Sequence, residues 1–376
     1  MNIKTVLKTS VAAAALVAVA APAVVSPAEA GLNNGNKNSL VMSGQIARAM
    51  IYQDDGNSSQ LFHTGGPDTT TRMRWIATGQ MTESITIGGL IEMNTPGNGR
   101  TISLNGSGSN METIADTAWG TRHERVTFTH KAAGKLSIGH TGVAGDGTST
   151  ATMLSTGPGF TYEGPTTGAS EFFDSTAQAA SGTQVGSTHG GYDPSRENTI
   201  RYDTPSFGGL SLAVSHQDGG QSVGATYSGK FGGVQVFAGG FYYNEASGST
   251  TQNATMGGSV GIKHDSGVSL AANYTKEDVE TGVTTEGKNW GVALGYAASL
   301  TNLGTTGFGV TYAVSKDTAA NNDEGKVWAI GVNQNIAAVG ADIYAGYSRA
   351  SYDDGAAATN HDDFSTIFAG DRKSVV

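Results

Sequence analysis

The residues best placed to do chemistry in this sequence are basic side chains that recur at every second position of short extended segments. Arg72 and Arg74 are two residues apart, as are His123 and Arg125, and Arg201 alternates with apolar neighbours. Side chains two apart in an extended strand project from the same face. Guanidinium groups stay charged and orient anions and dipoles through several N–H donors, but they are neither nucleophiles nor general bases. The pattern therefore predicts a surface that sorts solutes by charge.

Arg48 is a further candidate for this basic surface. The parity of its segment is ambiguous, because Met50 and Tyr52 share its side. The prediction includes Arg48 but leaves open which face of its strand the side chain occupies.

A long segment without strand or helix periodicity, at about residues 142–198, supplies the acidic counterpart. It is rich in small residues but also carries Glu163, Glu171 and Asp174 beside Phe172 and Phe173. An insertion of this length is usually either disordered or functional, and its large and acidic side chains favour function. We expect it to form a loop that opposes the arginines with its three acids, while the two phenylalanines anchor it.

Motifs for catalysis and metal binding are absent from the sequence. Cysteine does not occur, and neither H-E-x-x-H nor G-x-S-x-G is present. The stretches DDGN at 54–57 and NNDEG at 321–325 offer oxygen ligands for Ca²⁺, but turn formation accounts for them as well. The sequence predicts no enzyme activity, no metal among the charged residues and no cofactor beyond an optional loop-bound Ca²⁺.

The first thirty residues have the pattern of a cleaved export signal. Lys4 and Lys8 precede an apolar run, and Ala28-Glu29-Ala30 forms an A-x-A cleavage site. Loss of this segment changes the formal charge of the chain from −10 to −11. An acidic chain without a basic cluster argues against nucleic acid as a partner.

Sixteen later segments of about 8–13 residues carry apolar side chains at every second position between turn residues. Leu210, Leu212 and Val214 form one such row, with small or polar residues between them. The connections alternate between short and long, which is the arrangement of outer-membrane barrels. Sixteen strands enclose an aqueous channel. The inner sheets of a soluble sandwich would show equally apolar rows, so the alternation alone leaves both architectures open.

Aromatic residues favour the membrane barrel. The prediction places Trp75, Tyr274, Trp290, Tyr312 and Trp328 near the outer strand ends and Tyr202, Tyr227 and Tyr296 near the opposite ends. Two aromatic belts mark the two interfaces of a bilayer. The sequence thus predicts an all-β fold over residues 31–376, a sixteen-stranded antiparallel transmembrane β-barrel with an inward-folded constriction loop.

Four stretches resemble Gram-negative general porins, and the alphaproteobacterial group in particular. They are residues 42–49 followed by 54–56, residues 71–74, residues 195–210 (SRENTIRYDTPSFGGL) and residues 363–370. The resemblance covers nearly all of the mature chain. It implies a homotrimer in the outer membrane of a Gram-negative bacterium, in contact with outer-membrane lipid and inserted by the barrel-assembly machinery. The sequence departs from the family pattern in lacking a Pro-Glu-Phe-Gly-Gly run and a terminal Phe.

Taken together, these features predict a water-filled channel for passive diffusion of small hydrophilic solutes and ions, filtered by size and charge. The predicted basic side of the constriction is Arg48, Arg72, Arg74, Arg125 and Arg201, and the predicted acidic side is Glu163, Glu171 and Asp174. Two alternatives stay open: a surface structural or adhesive outer-membrane barrel, and a solute-specific channel with a dedicated site in its lumen.

Overall fold

The computed structural model describes residues 31–33, 38–66, 69–97, 102–105, 111–112, 118–154, 161–162, 164–165, 167–191, 193–217, 220–245, 254–278, 286–318, 320–355 and 359–375. The predicted export signal, residues 1–30, lies outside this set. Within it, no helix has the length and apolar character needed to cross a membrane. The helical content described is two 3₁₀ turns, Val185–Ser187 and Ala337–Val339.

Long antiparallel strands dominate the chain. In chain order they are β1 (Asn38–Asp54), β2 (Ser59–Gly65 and Arg72–Gln80), β3 (Ile85–Asn94), β4 (Gly120–His130), β5 (Gly134–Gly142), β6 (Arg196–Asp203), β7 (Leu210–Gln217), β8 (Gly220–Phe231), β9 (Val234–Glu245), β10 (Ala254–His264), β11 (Val268–Asp278), β12 (Lys288–Thr301), β13 (Gly304–Lys316), β14 (Glu324–Ile336), β15 (Ala341–Asp353) and β16 (Phe364–Val375). A short strand at Gly31–Asn33 precedes β1 and pairs with it. Further short strands between the long ones are Ile102–Ser103, Met111–Glu112, Glu171–Asp174 and Ala179–Gln184.

These strands form one closed sheet. Each pairs antiparallel with its sequence neighbours, and β16 pairs with β1 so that Gly44 lies opposite Val375 and Asp54 opposite Ser365. Closure leaves no edge strand, so the barrel satisfies its backbone hydrogen-bonding groups internally, as a membrane-spanning sheet must. The predicted sixteen-stranded antiparallel transmembrane barrel is confirmed.

The two faces of the wall differ as the alternation requires. On β12, Leu294 points outward and is 51% exposed, whereas Ala293 points inward and is 3% exposed. In the middle of β10 to β14 the outward rows are continuous and apolar, so this part of the wall presents a hydrocarbon-compatible surface. The connections between strands are short at one end of the barrel and mostly long at the other, and we call these the short-turn end and the long-loop end.

Strand β2 is interrupted, which the sequence did not predict. Its first segment, Ser59–Gly65, pairs with the upper half of β1, and its second, Arg72–Gln80, pairs with the lower half. The first segment departs from the usual pattern: Phe62 is buried inside the barrel and His63 is exposed outside it, although Leu61 faces outward as the pattern requires. Because Trp75 belongs to the second segment, it lies opposite Met42 in the half of β1 nearer the short-turn end, and its predicted place near the outer strand ends is wrong.

Candidate functional site: a charged lumen wall facing an inserted loop

The described parts of the segment between β5 and β6 (residues 143–154, 161–162, 164–165, 167–191 and 193–195) run inside the barrel along the inner wall. Its start is held by the hydroxyls of β7 and β8: Ala144 N donates to Ser215 Oγ at 3.0 Å, and Gly145 N to Ser222 Oγ at 3.1 Å. Farther round, Asn273 Nδ2 on β11 donates to the Ser149 carbonyl at 3.1 Å. These acceptors and donors are inward side chains of successive strands, so the loop follows the wall.

The loop reaches β1, β15 and β16, where hydrogen bonds to β1 and aromatic packing on β15 and β16 anchor it. Gln53 donates to the Thr167 carbonyl at 3.2 Å and accepts a hydrogen bond from Ser170 Oγ at 2.7 Å. Phe172 is fully buried and stacks on Tyr352 with ring centroids 5.8 Å apart, and it meets Phe364 edge-on. Aromatic pairs of this geometry add to the stability from burial. Phe172 is thus an anchor, as expected.

Glycines on the inner wall allow the loop to lie flat. A Cβ on Gly239 would lie 2.6 Å from the Thr148 carbonyl oxygen, and one on Gly291 would lie 2.9 Å from Cδ1 of Tyr162. Gly325 likewise lies directly beneath the Thr188 carbonyl, where a Cβ would clash with the carbonyl oxygen. Any larger side chain at these positions would push the loop away from the wall and into the lumen.

Three arginines on the wall not covered by the loop converge on one carboxylate. Glu92 on β3 lies 3.2 Å from Arg72 Nη1, 2.5 Å from Arg74 Nε and 2.7 Å from Arg122 Nε. The Glu92 side chain is only 5% exposed. We call this set the Glu92 cluster. With three cations and one anion, it carries an excess of positive charge facing the lumen.

Local backbone irregularities position two of these arginines. His123 lies opposite Glu92 and Thr121 opposite Met93, so Arg122 is the extra residue of a β-bulge and can turn inward. On β2, the interruption brings Thr69 Oγ1 within 3.0 Å of Arg72 Nη2. The bulge and the interruption thus orient the Arg122 and Arg72 side chains differently from a regular strand.

A second charged group lies beside the first, on β4, β5 and β6. Arg201 donates to Asp203 Oδ1 at 2.6 Å and to the Val143 carbonyl at 2.7 Å, while Lys135 Nζ lies 3.2 Å from Asp203 Oδ2. Arg125 donates to Thr141 Oγ1 at 2.6 Å. Arg201 therefore links the wall to the point where the loop leaves β5.

The base of the loop holds two further acids. Asp193 accepts hydrogen bonds from Gly147 N at 2.7 Å and Ser149 N at 2.9 Å, which joins the outgoing and returning chains. Burial raises the pKa of the Asp146 carboxyl and the neighbouring Asp193 raises it further, against the opposing effect of nearby arginines. Burial also raises the pKa of Asp193.

Comparison with known families matches residues 10–355 to the model for Gram-negative porins. The chain belongs to the Gram-negative porin family. It is therefore an outer-membrane channel protein and not an enzyme.

Solved structures agree on the fold of this porin. The anion-selective porin from Comamonas acidovorans superposes with a TM-score of 0.61 at 16% identity, covering 90% of this chain and 100% of that one. Salmonella typhi OmpF in complex with daunomycin superposes with a TM-score of 0.58 at 16% identity, covering 92% of this chain and 100% of that one. The trimer form of Vibrio cholerae OmpT superposes with a TM-score of 0.58 at 14% identity, covering 90% of this chain and 100% of that one. Comparison with curated protein sequences finds no significant match.

Four of the five predicted basic residues lie on the inner wall of the porin. Arg72 and Arg74 belong to the Glu92 cluster, and Arg125 and Arg201 to the neighbouring group.

Arg48 does not belong with them. Ala47 and Ala49 are the buried, inward residues of this part of β1, so Arg48 projects from the outer face between Ile46 and Met50, which are 48% and 53% exposed. Its guanidinium donates to the Gly97 carbonyl at 3.2 Å. The placement of Arg48 on the basic side of the lumen is corrected accordingly.

The predicted acids of the loop have other contacts in the porin. Glu163 lies outside the described residues. Glu171 accepts a hydrogen bond from Gly182 N at 3.2 Å. Asp174 accepts from Ala177 N at 3.1 Å and Thr176 N at 2.8 Å, and these bonds hold the pKa of its carboxyl below the ordinary value. The carboxylate that the structure brings to Arg72 and Arg74 is Glu92, on the wall itself.

Sequence reasoning missed several charged lumen residues. Asp203 is two residues from Arg201, so the same parity rule would have found it. Arg122 could not be found in this way, because strict alternation from His123 turns it outward and only the bulge reverses it.

The acidic stretches considered for Ca²⁺ form turns. Asp55 accepts hydrogen bonds from Asn57 N at 3.0 Å and Ser58 N at 2.6 Å. Asp323 accepts from Thr318 N at 2.8 Å and Ala320 N at 2.9 Å. Across the described ranges, no three acidic or histidine side chains converge as metal ligands would.

Proposed function

We propose that this porin conducts small hydrophilic solutes and ions by passive diffusion, and that the Glu92 cluster gives the narrow part of the channel a preference for anions. The observation that carries the proposal is the convergence of Arg72, Arg74 and Arg122 on one buried carboxylate, on the side of the lumen that the loop leaves open. Low-dielectric walls concentrate the field of such fixed charges in confined water. No covalent step is needed, so the channel uses no cofactor.

The test is ion selectivity in a planar bilayer. Under a salt gradient, the reversal potential of the wild type should indicate anion preference, and Arg72→Ala/Arg74→Ala should shift it towards cations. Lys230→Ala is the matched control, since Lys230 pairs with Asp265 at an exposed short turn. Absence of conductance from folded protein would overturn the channel. Conductance with no shift in the double variant would overturn the charge filter alone.

We also propose that residues 1–30 are an export signal that is removed, so that the mature chain begins at Gly31. The basic start, apolar run and A-x-A site support this. Mass spectrometry of protein purified from the outer membrane tests it, and an intact N-terminus would contradict it. Insertion by the barrel-assembly machinery belongs to the same export route.

A homotrimer is the proposed assembly. The OmpT structure in trimer form shares the fold, and the outer face of this barrel is uneven. Arg48 on β1 and Asp371 on β16 lie opposite each other on the outside of the wall, where lipid contact is unfavourable for charged groups. We propose that this part of the wall contacts a second copy of the chain.

A further inference from the structure

A recess in the lumen lies apart from the Glu92 cluster. It has a volume of about 310 Å³ and lies between the base of the loop and the inner face of β5 to β9. Its wall residues Ser211, Ser228 and Phe237 lie nearer the short-turn end than Ser215 and Ser222, which hold the loop. A solute that has passed the loop therefore meets this recess next.

One aromatic ring is presented to the recess. Phe237 shares the inward face of β9 with Phe241, but the loop covers Phe241, which is 7% exposed, and leaves Phe237 partly exposed. A Cβ on Gly239 would lie 3.1 Å from Phe237 Cζ, so the ring extends over a glycine of its own strand. This arrangement leaves ring surface available to a solute.

Hydroxyl and carboxylate groups surround the ring. Ser211 is 3% exposed, and its Oγ has no hydrogen-bond partner among the described residues. A buried hydroxyl without a partner is costly, and this one borders the recess beside Thr226 and Ser228. Asp203 also borders the recess, but Arg201 and Lys135 already bind its carboxylate.

The formal charges around the recess cancel. Lys135 and Arg201 supply two positive charges, and Asp146 and Asp203 supply two negative ones. Arg201 is already bound to Asp203 and to the loop backbone. The recess therefore offers no net attraction to an ion, in contrast to the Glu92 cluster.

We propose that this recess is a binding subsite for a neutral cyclic carbohydrate of monosaccharide size. The C–H face of a sugar ring carries weak positive charge and packs on the negative face of an aromatic ring, while its hydroxyls pair with Ser211, Thr226 and Ser228. The volume is at the lower end of the range for small-molecule pockets. Binding is weak, with a dissociation constant on the order of millimolar, since a diffusion channel must also release its solute.

This inference rests on the proposed channel, and the experiment separates the two. Ion conductance of the porin in a planar bilayer is measured against increasing D-glucose on the short-turn side. Sorbitol, an acyclic polyol without a rigid C–H face, is the matched solute. The wild type should show a saturable loss of conductance with glucose, while sorbitol should follow bulk viscosity. Absence of any conductance would count against the channel itself.

The variants localise the effect. Phe237→Ala should raise the half-saturating glucose concentration about tenfold, and Ser211→Ala about threefold, as expected for losing one apolar contact or one hydrogen bond. Phe237→Leu keeps apolar volume and removes the ring, so it serves if the alanine variant does not fold. Phe231→Ala, at an exposed short turn, should change nothing. Glucose behaving like sorbitol, or equal block in the Phe237 variants, would overturn the subsite.

Discussion

At the scale of single residues, Glu92 has the largest influence on the charged wall. It keeps three guanidinium groups close together that would otherwise repel one another. It also lowers the positive charge of the cluster from three to two. Its two effects, on geometry and on charge, can be separated by removing the charge alone.

Glu92→Gln should make the channel more anion-selective and the barrel less stable. The amide keeps the volume but leaves the arginines without their shared anion. We expect a loss of about 1–3 kcal/mol, below the ~3–5 kcal/mol for breaking a fully buried pair because Arg74 is 38% exposed. Reversal potential and urea unfolding followed by tryptophan fluorescence measure the two effects. Unchanged selectivity would show that the cluster lies outside the conduction path.

Predicting the charged residues from sequence succeeded only where a strand is regular. The positions of Arg72, Arg74, Arg125 and Arg201 follow from alternation, and the structure puts all four on the inner wall. Arg122 required knowledge of a bulge, which depends on how β3 and β4 pair. The contacts of Glu171 and Asp174 depend on the path of the loop across the lumen, which no local pattern specifies.

At the scale of elements, the loop is held by its base and by the wall beneath it. At the base, Asp193 joins the two chains through backbone amides, and Asp146 lies close by. Farther along, buried His189 is neutral at pH 7 because burial lowers its pKa to about 4. The loop therefore contains groups that change charge in the acidic range.

The raised pKa values of Asp146 and Asp193 predict a pH effect. Both carboxyls take up a proton at a pH above the ordinary aspartate pKa of 3.8. Lowering the pH should therefore remove negative charge from the loop base before ordinary aspartates are protonated, and shift the selectivity of the channel towards anions. The folded state binds more protons than the unfolded state in this window, so these groups make the free energy of unfolding fall as pH rises through it.

Reversal potentials between pH 7 and 4 measure this effect. Asp146→Asn should remove part of the shift, while Asp265→Asn, at an exposed turn, should leave it intact. Identical titrations in all three proteins would assign the effect to other groups.

The glycines under the loop predict a mechanical effect. Gly239→Ala should displace the loop into the lumen, because the new Cβ would lie 2.6 Å from the Thr148 carbonyl oxygen. Single-channel conductance should fall, and overpacking should cost about 1–3 kcal/mol. Gly240→Ala is the matched control on the same strand, since its Cβ meets only an ordinary contact at 3.5 Å. Equal conductance of the two variants would contradict the displacement.

The first segment of the interrupted strand β2 could not be predicted from the sequence. Most strands were found because their apolar rows face lipid. Ser59–Gly65 follows this rule at Leu61 but departs from it at Phe62, which packs inside, and at His63, which lies outside. Its pattern therefore does not predict a strand. A rule that assumes polar residues on the inner wall therefore cannot predict the inner apolar patch that anchors the inserted loop.

At the scale of the whole molecule, the outer face divides into two parts. The outward rows on β10 to β14 are apolar along their middle, with lysines such as Lys288 and Lys316 at the long-loop end. In contrast, β16, β1 and β2 carry Asp371, Arg48 and His63. Strand number, closure and orientation of the faces were predictable, because a spanning sheet has few ways to satisfy its backbone. The charged section was not, since Arg48 and Asp371 interrupt the apolar outward rows on which the prediction relied.

The proposed subunit contact predicts an effect of reversing one charge. Arg48→Glu should place two acids opposite each other and lower the temperature at which the trimer band disappears in SDS gels. Arg48→Glu/Asp371→Arg should restore it in part. Lys131→Glu, a reversal at an exposed short turn, should leave the band unchanged. A trimer indifferent to Arg48→Glu would remove this wall section from the contact.

Because the inserted loop lies flat on small residues of the inner wall, the width of the channel and its charge can change separately. The bore depends on small residues of β9 to β14 that lie beneath the loop, whereas the cations of the charged wall lie on β2 to β6. A substitution in one group need not disturb the other. Size exclusion and ion preference can therefore be inherited, or engineered, as separate traits within a single barrel.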